Sequence, residues 1–302
     1  MSITKSAPMH DPHPRQKSSA LLADVVALSH IFNGIGSACG AGIGYLVTVW
    51  HYALPINIGA FVAAMLSTLC ISNGGFIVND ILDLAIDRIN RPDRPLAAGR
   101  VPVTLAWVLY ILYTIIGVGI AVAINPATGA IAVLIAAGLF LYSYRLKKRL
   151  LIGHIVVATS GALLFPFGGM AAGYLIPTLY TIPITFSAFI AREILKTVPD
   201  AEGDRAYGVD NLTTRFGSRF AMRLAQIMFA LCALSLPLLR LVWSLNPGFL
   251  IIVILIVWPL TGFFLVQLSR SPDADGSHIK TVLRFSKLLF LIVALTLLVG
   301  AL

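Results

Sequence analysis

The segment Asn79-Asp80-Ile81-Leu82-Asp83-Leu84-Ala85-Ile86-Asp87-Arg88 runs directly into Ile89-Asn90-Arg91-Pro92-Asp93-Arg94-Pro95-Leu96, at the end of a long apolar stretch. Ionisable groups at the end of a membrane helix characteristically face a protein-lined cavity and serve a purpose. Asp80, Asp83 and Asp87 stand at i, i+3 and i+7, so a helix carries them on one face, where three like charges repel. A hard divalent cation relieves that repulsion. Oxygen-rich carboxylate sites suit Mg²⁺, which keeps several waters and shares its remaining positions with substrate phosphates. Asp200-Ala201-Glu202-Gly203-Asp204 repeats the four-residue acid spacing at the end of another apolar run, preceded by Arg192, Glu193 and Lys196.

The elements that must position these groups are membrane helices. Of 302 residues, 58% are hydrophobic and 12% charged, which excludes an ordinary soluble domain. The net charge of +9 could suggest a nucleic-acid partner, but the basic residues lie between apolar spans of membrane length, so membrane topology accounts for them and no nucleic acid is expected. Cys39, Cys70 and Cys232 stand singly in apolar runs and read as small buried hydrophobes. No P-loop or dinucleotide fingerprint is present.

Residues 1–18, polar and proline-rich, read as a mobile cytoplasmic tail, with His10 and His13 solvated in it, and 19–302 as a single transmembrane domain. The first apolar run outlasts a signal peptide and is expected to stay as a span. Nine spans are predicted, at roughly 21–48, 55–82, 103–124, 127–145, 151–174, 177–196, 218–243, 247–268 and 281–301. The fold class expected is therefore an all-α membrane protein, a bundle of nine transmembrane helices with a polar cavity on its cytoplasmic side. Connections after even-numbered spans are rich in charge and those after odd-numbered spans carry almost none. Of the 22 Lys and Arg, all but Arg240 fall in the tail, in the even connections or in adjoining span ends. The positive-inside rule then places the N-terminus and both acidic clusters in the cytoplasm, and nine spans put the C-terminus on the opposite side.

Two acid clusters that hold metal, with bases beside them, describe a diphosphate site. Metal ions bridging phosphate oxygens stabilise the charge on a leaving pyrophosphate, and Arg91, Arg94, Lys147, Lys148 and Lys196 are candidate clamps. A diphosphate head in a greasy bundle points to an allylic prenyl diphosphate, ionised to a carbocation and captured by a second, lipid-soluble substrate. Tyr142 or Tyr144, in Tyr142-Ser143-Tyr144-Arg145-Leu146-Lys147-Lys148-Arg149 at the end of the fourth span, could shield the cation with its π-face. An ion-coupled transporter is the alternative from another class, and it calls for acids near the bilayer midplane.

At these residues the chain resembles the UbiA superfamily of intramembrane prenyltransferases. Its first motif is matched by Asn79, Asp80, Asp83, Asp87 and then Arg94-Pro95-Leu96. The second is matched by Asp200, Asp204 and Gly208, and the Tyr-x-x-x-Lys motif by Tyr144 and Lys148. The resemblance covers nearly the whole chain after the tail. It implies Mg²⁺-dependent prenyl transfer from a diphosphate donor to an acceptor within the bilayer. Asp80, Asp83, Asp87, Asp200 and Asp204 are then the metal ligands, and Asn79 takes part in diphosphate binding. Where many members have Arg-Pro-x-Asn in the first span, this chain has His30-Ile31-Phe32-Asn33; His30, Asn33, Tyr142 and Arg192 are the candidates for the acceptor or cavity.

Ala191 to Lys196 with Asp200 to Asp204, and Gly153-His154 leading to Phe167-Gly168-Gly169, resemble the branch containing digeranylgeranylglyceryl phosphate synthase, although Thr197 replaces the aspartate usual after the lysine. The segment 196–204 is also similar to homogentisate prenyltransferases, and Glu202 to Ala206 to chlorophyll synthase. Prenylglycerol phosphate and aromatic or quinone-precursor acceptors both stay open, as does a family member that cyclises its own prenyl diphosphate.

Overall fold

The computed structural model describes residues 14–206, 208–243, 245–270 and 276–301, with side chains for all of these except 14–19, Lys148, 276 and 277. Every regular element among them is helical. In order they are α1 (Pro14–Leu28), α2 (Ile31–His51), α3 (Ile58–Leu82), α4 (Leu84–Asn90), α5 (Val103–Ile124), α6 (Pro126–Tyr144), α7 (Ile152–Ala162), α8 (Leu164–Ala171) and α9 (Ile176–Leu179). They continue with α10 (Ile182–Lys196), α11 (Ala201–Ala206), α12 (Leu212–Phe216), α13 (Ser218–Ser235), α14 (Leu239–Val242), α15 (Pro247–Ile252), α16 (Trp258–Ser269) and α17 (Gly276–Ala301). A π-helical segment, Val253–Val257, joins α15 to α16.

Eight helical segments among the described residues are long and apolar enough to cross a membrane, and the molecule is an integral multi-pass membrane protein. The expected count of nine is not reached. The sixth predicted span, 177–196, is divided between the single turn of α9 and α10, which at 15 residues is shorter than the length that crosses a hydrocarbon core. Prolines at the starts of both helices, Pro177 and Pro183, mark the division.

Two further expectations change at the N-terminus. Residues 14–18, assigned to the mobile tail, open helix α1, while the rest of that tail, with His10 and His13, lies outside the described residues. The predicted first span is broken at Ser29-His30, where His30 takes a left-handed conformation (φ 49°) that a continuous helix cannot accommodate.

Glycine sets the helix spacing at the centre. A Cβ on Gly168 of α8 would lie 1.9 Å from the Ala41 carbonyl oxygen of α2, and one on Gly44 would lie 2.2 Å from the Phe165 oxygen. Only bare backbone permits that approach, the device by which membrane helices pack without a hydrophobic driving force. Apolar side chains close the remaining interfaces, with Ile194, Phe229 and Phe264 buried between α10, α13 and α16. The outward faces of α5 and α6, with Ile115, Val122 and Leu134, are exposed and apolar, as lipid contact demands.

Candidate active site

The first acidic motif straddles a break between α3 and α4, yet its register survives. Asp83 N–H bonds the Asn79 carbonyl and Asp87 N–H bonds the Asp83 carbonyl, each at 2.8 Å, so the i to i+4 ladder passes through the break. Asp80, Asp83 and Asp87 therefore share one face and all three line the same cavity. The cavity encloses about 850 Å³. From the charged end it reaches along α17 from Lys287 to Leu297, about 15 Å at the rise of an α-helix. Beyond the charges its walls are mainly apolar, with Leu139, Val157, Phe165, Leu236, Val257 and Leu297, interrupted by the hydroxyls of Ser160, Thr181, Thr185 and Thr261.

Each aspartate of the two motifs is held by a named partner. Arg94 Nη1 donates to Asp80 Oδ1 at 2.5 Å and to Asp87 Oδ2 at 2.7 Å. His30 Nε2 hydrogen-bonds the other Asp80 oxygen at 2.8 Å. The break that ends α1 is thus the bend that brings His30, the residue departing from the family's arginine, onto the first aspartate. Lys147 pairs with Asp83. Arg91 Nη2 donates to Asp200 Oδ2 at 2.5 Å, and Asn211 Nδ2 to Asp204 Oδ2 at 2.8 Å. Asp80 and Asp87 are 4% and 6% exposed, and taking a charge that far out of water costs several kcal/mol unless it is paired. Their shared guanidinium offsets that cost for both.

Gly203 sits where the motifs approach. A Cβ there would lie 2.1 Å from Asn90 Oδ1, so glycine at this position of Asp-Ala-Glu-Gly-Asp leaves room for the Asn90 side chain at the end of α4. Burial pushes the Asp204 carboxyl up to about 6, with the neighbouring Asp200 charge adding to the shift and the Asn211 hydrogen bond opposing it. Burial also raises Asp87, against the pull of Arg94.

Of the residues predicted from sequence, the cavity collects His30, Asn33, Asn79, Asp80, Asp83 and Asp87, together with Arg91, Arg94, Tyr142 and Lys147, and finally Arg192, Lys196, Asp200 and Asp204. Tyr144 is not among them. It is 56% exposed, stacked on Phe140 with ring centroids 5.9 Å apart and with the Arg145 guanidinium 6.0 Å above its ring. Positions two apart on a helix point about 200° from one another, so only Tyr142 of the pair can face inward. The side chain of Lys148 lies outside the described residues. Lys196 is taken up by Glu193, donating to both carboxylate oxygens at 2.8 and 2.7 Å, rather than by either aspartate motif.

Four functional candidates of the wall were not singled out from sequence: His154, Glu193, Asn211 and Lys287. His154 Nε2 is buried without a hydrogen-bond partner. Lys287 Nζ donates to Asn33 Oδ1 at 2.8 Å, across 254 positions of chain. Glu193 lay in view between Arg192 and Lys196. His154 stood in the Gly153-His154 segment quoted for the branch resemblance but was given no role, and Asn211 and Lys287 carried no local signal beyond being polar residues at a span end or in a loop.

The donors fit a hard cation by type: the carboxylate oxygens of α3, α4, α11 and the turns beside them face one cavity. Among the described residues no three His, Cys, Asp or Glu side chains gather closely enough to hold a metal ion as they stand, and arginine, lysine and asparagine are bonded to the carboxylates. All acids of the motifs stand together with those bases at one end of the cavity, an arrangement unlike the midplane acids of an ion-coupled transporter.

Comparison with known proteins agrees with this geometry. The model of the UbiA prenyltransferase family matches residues 26–300. Digeranylgeranylglyceryl phosphate synthase of Saccharolobus solfataricus is 34% identical over 273 residues, covering 88% of this chain and 93% of that protein. The protein of the same name from Methanoregula boonei is 36% identical over 219 residues, covering 70% and 76%. A solved digeranylgeranylglyceryl phosphate synthase superposes with a TM-score of 0.72 at 28% identity, over 95% of this chain and 99% of that one. The UbiA homologue from Archaeoglobus fulgidus bound to GPP and Mg²⁺ shares the fold, with a TM-score of 0.68 at 21% identity over 93% and 99%.

Proposed function

The chain belongs to the UbiA prenyltransferase family and is an intramembrane prenyltransferase, and from that premise we propose that it moves a prenyl group from an allylic prenyl diphosphate to the hydroxyl of a prenylated glycerol phosphate. The observation that carries this reading is the single cavity, in which paired aspartates and bases at one end open into about 15 Å of apolar wall. Such a cavity suits a charged head and a hydrocarbon tail on one molecule. The acceptor class follows from the kinship with digeranylgeranylglyceryl phosphate synthases.

Asp80, Asp83, Asp87, Asp200 and Asp204 would hold Mg²⁺. When bound, the ion neutralises charge developing on the leaving diphosphate. Arg91, Arg94 and Lys147, released from their aspartates, turn to the phosphate oxygens, and Asn79 contributes its amide. The allylic C–O bond breaks with its electron pair going to the diphosphate. Tyr142 has room in the wall beside Gly153, where a Cβ would lie 3.1 Å from its Cε2, and offers its ring to the allylic cation. The acceptor oxygen then forms the new C–O bond and loses its proton to His154 Nε2, the unpartnered base of the wall. Apolar walls exclude water that would otherwise capture the cation.

Sidedness follows the basic residues, all but Arg240 of which adjoin one face. The N-terminus and active site are cytoplasmic on this reading. The test is a product assay by mass spectrometry on the detergent-solubilised protein, with and without Mg²⁺, offering several prenyl diphosphates and a pool of prenylglycerol phosphate and phenolic acids. A Mg²⁺-dependent adduct on the glycerol phosphate is expected. An adduct on a phenolic acid instead, or pyrophosphate release without any adduct, overturns the acceptor assignment.

A further inference from the structure

Each base nearest the aspartate motifs is bonded to a carboxylate, but two cations of the cavity wall have none to themselves. Arg192 of α10 has one acid within reach, Glu193, at 3.9 Å, and that carboxylate already accepts two hydrogen bonds from Lys196. Its Nε is buried with no partner. Lys287 of α17 lines the same cavity and is bonded only to the neutral amide of Asn33. The two interact electrostatically with each other, and Lys196, itself paired with Glu193, and Arg284, one turn before Lys287, add further like charges nearby. Two unmatched positive charges converging on a membrane cavity need an anion there. The donor diphosphate already has Arg91, Arg94 and Lys147.

We propose that Arg192 and Lys287 form a second anion subsite, one that takes the phosphate of the acceptor and selects phosphate-bearing acceptors over neutral or phenolic ones. This rests on the acceptor class proposed above. A phosphomonoester carries close to two negative charges at neutral pH and presents three acceptor oxygens, matching the two cations in charge and donors. Asn33 positions Lys287 through its side-chain oxygen, and the neutral Lys196–Glu193 pair holds Arg192 toward the cavity. These contacts assign α2, α10 and α17 to the acceptor, while α3, α4, α6 and α11 serve the donor.

The experiment compares wild type with Lys287→Gln, Lys287→Arg and Arg192→Gln. Each is assayed with a prenylated glycerol phosphate, with the same lipid lacking its phosphate, and with a phenolic carboxylic acid. KM and kcat are resolved separately for donor and acceptor, and folding is followed by thermal melting in detergent. Wild type should prefer the phosphate-bearing lipid. Lys287→Gln should raise its KM about 10-fold or more, the effect of one charge-assisted hydrogen bond, leave the donor KM unchanged, and erase the preference over the dephosphorylated lipid. Lys287→Arg should recover most of it. Because Lys287 is exposed at the cavity rim, its variants test the subsite even if Arg192→Gln fails to fold. A Lys287→Gln enzyme that keeps the phosphate preference, or loses donor rather than acceptor affinity, overturns the subsite while leaving the acceptor class intact. A wild type that alkylates only the phenolic acid overturns the acceptor class itself.

Discussion

Arg91 donates to Asp200 at 2.5 Å across 109 positions of chain, tying the end of the first aspartate motif to the start of the second. The two motifs are brought together by a base that a diphosphate can draw away. The bases screen carboxylates that would otherwise repel, and in the proposed mechanism the same bases turn to phosphate.

Asp200→Asn is expected to lower turnover on the order of 100-fold or more, the scale seen when one electrostatic stabiliser is removed. Its stability cost should stay within about 1 kcal/mol, since Arg91 and Asp200 are 37% and 21% exposed and such pairs contribute little. Product formation and thermal melting, measured on the same preparation, separate the two effects. Removing Mg²⁺ with a chelator should abolish turnover in both proteins.

Arg94→Met should unfold the site rather than merely weaken it. One guanidinium serves two buried aspartates, and removing the partner of a buried charge costs about 3–5 kcal/mol. Arg94→Lys should recover only part, because a single ammonium lacks the planar fork. Denaturant or thermal unfolding in detergent checks both, and a fully stable Arg94→Met protein would contradict the pairing.

Gly203→Ala should reduce activity about 10-fold or more by pushing α11 away from Asn90. The double variant Gly203→Ala with Asn90→Ala removes the clash from the other side and should regain activity relative to the single change. A cycle of the four proteins measures that coupling, and additive losses would show the close approach to be unimportant.

Tyr142→Leu should lose most of its turnover, and Tyr144→Leu little. Tyr142 lines the cavity and can face a cation, whereas Tyr144 is exposed outside it. Equal effects in steady-state kinetics would reject the assignment of the two rings.

Asp204→Asn should raise the stability of the Mg²⁺-free protein at pH 8 while reducing turnover. The folded-state carboxyl is raised to about 6 from an ordinary value near 3.8, mainly by burial, so folding favours the protonated form. Its contribution to stability is present below the ordinary value and is lost as pH rises through about 6. Melting temperatures from pH 4 to 8 should therefore fall less steeply in the variant than in wild type.

Hydrophobic runs, charge at one set of connections and acids at helical spacing made the all-helical membrane class and both aspartate motifs readable, because each is a local property of consecutive residues. Asp80, Asp83 and Asp87 share a face for the same reason. Local pattern could not count the crossings, since apolar content from 177 to 196 does not reveal that α9 and α10 divide it. Nor could it separate Tyr142 from Tyr144, whose environments depend on how α6 is rotated against its neighbours. His30 meeting Asp80 depends on a left-handed backbone at one residue, and Lys287 meeting Asn33 on the last helix packing beside α2. Pairings between residues 50 to 254 positions apart are set by helix packing, which in turn rests on glycines such as Gly44, Gly168 and Gly203 leaving room for a neighbour. The chemistry of the site was therefore legible residue by residue, while the pairing of acids with bases, and the two cations left without a matching acid, came from the packing of helices far apart in the chain.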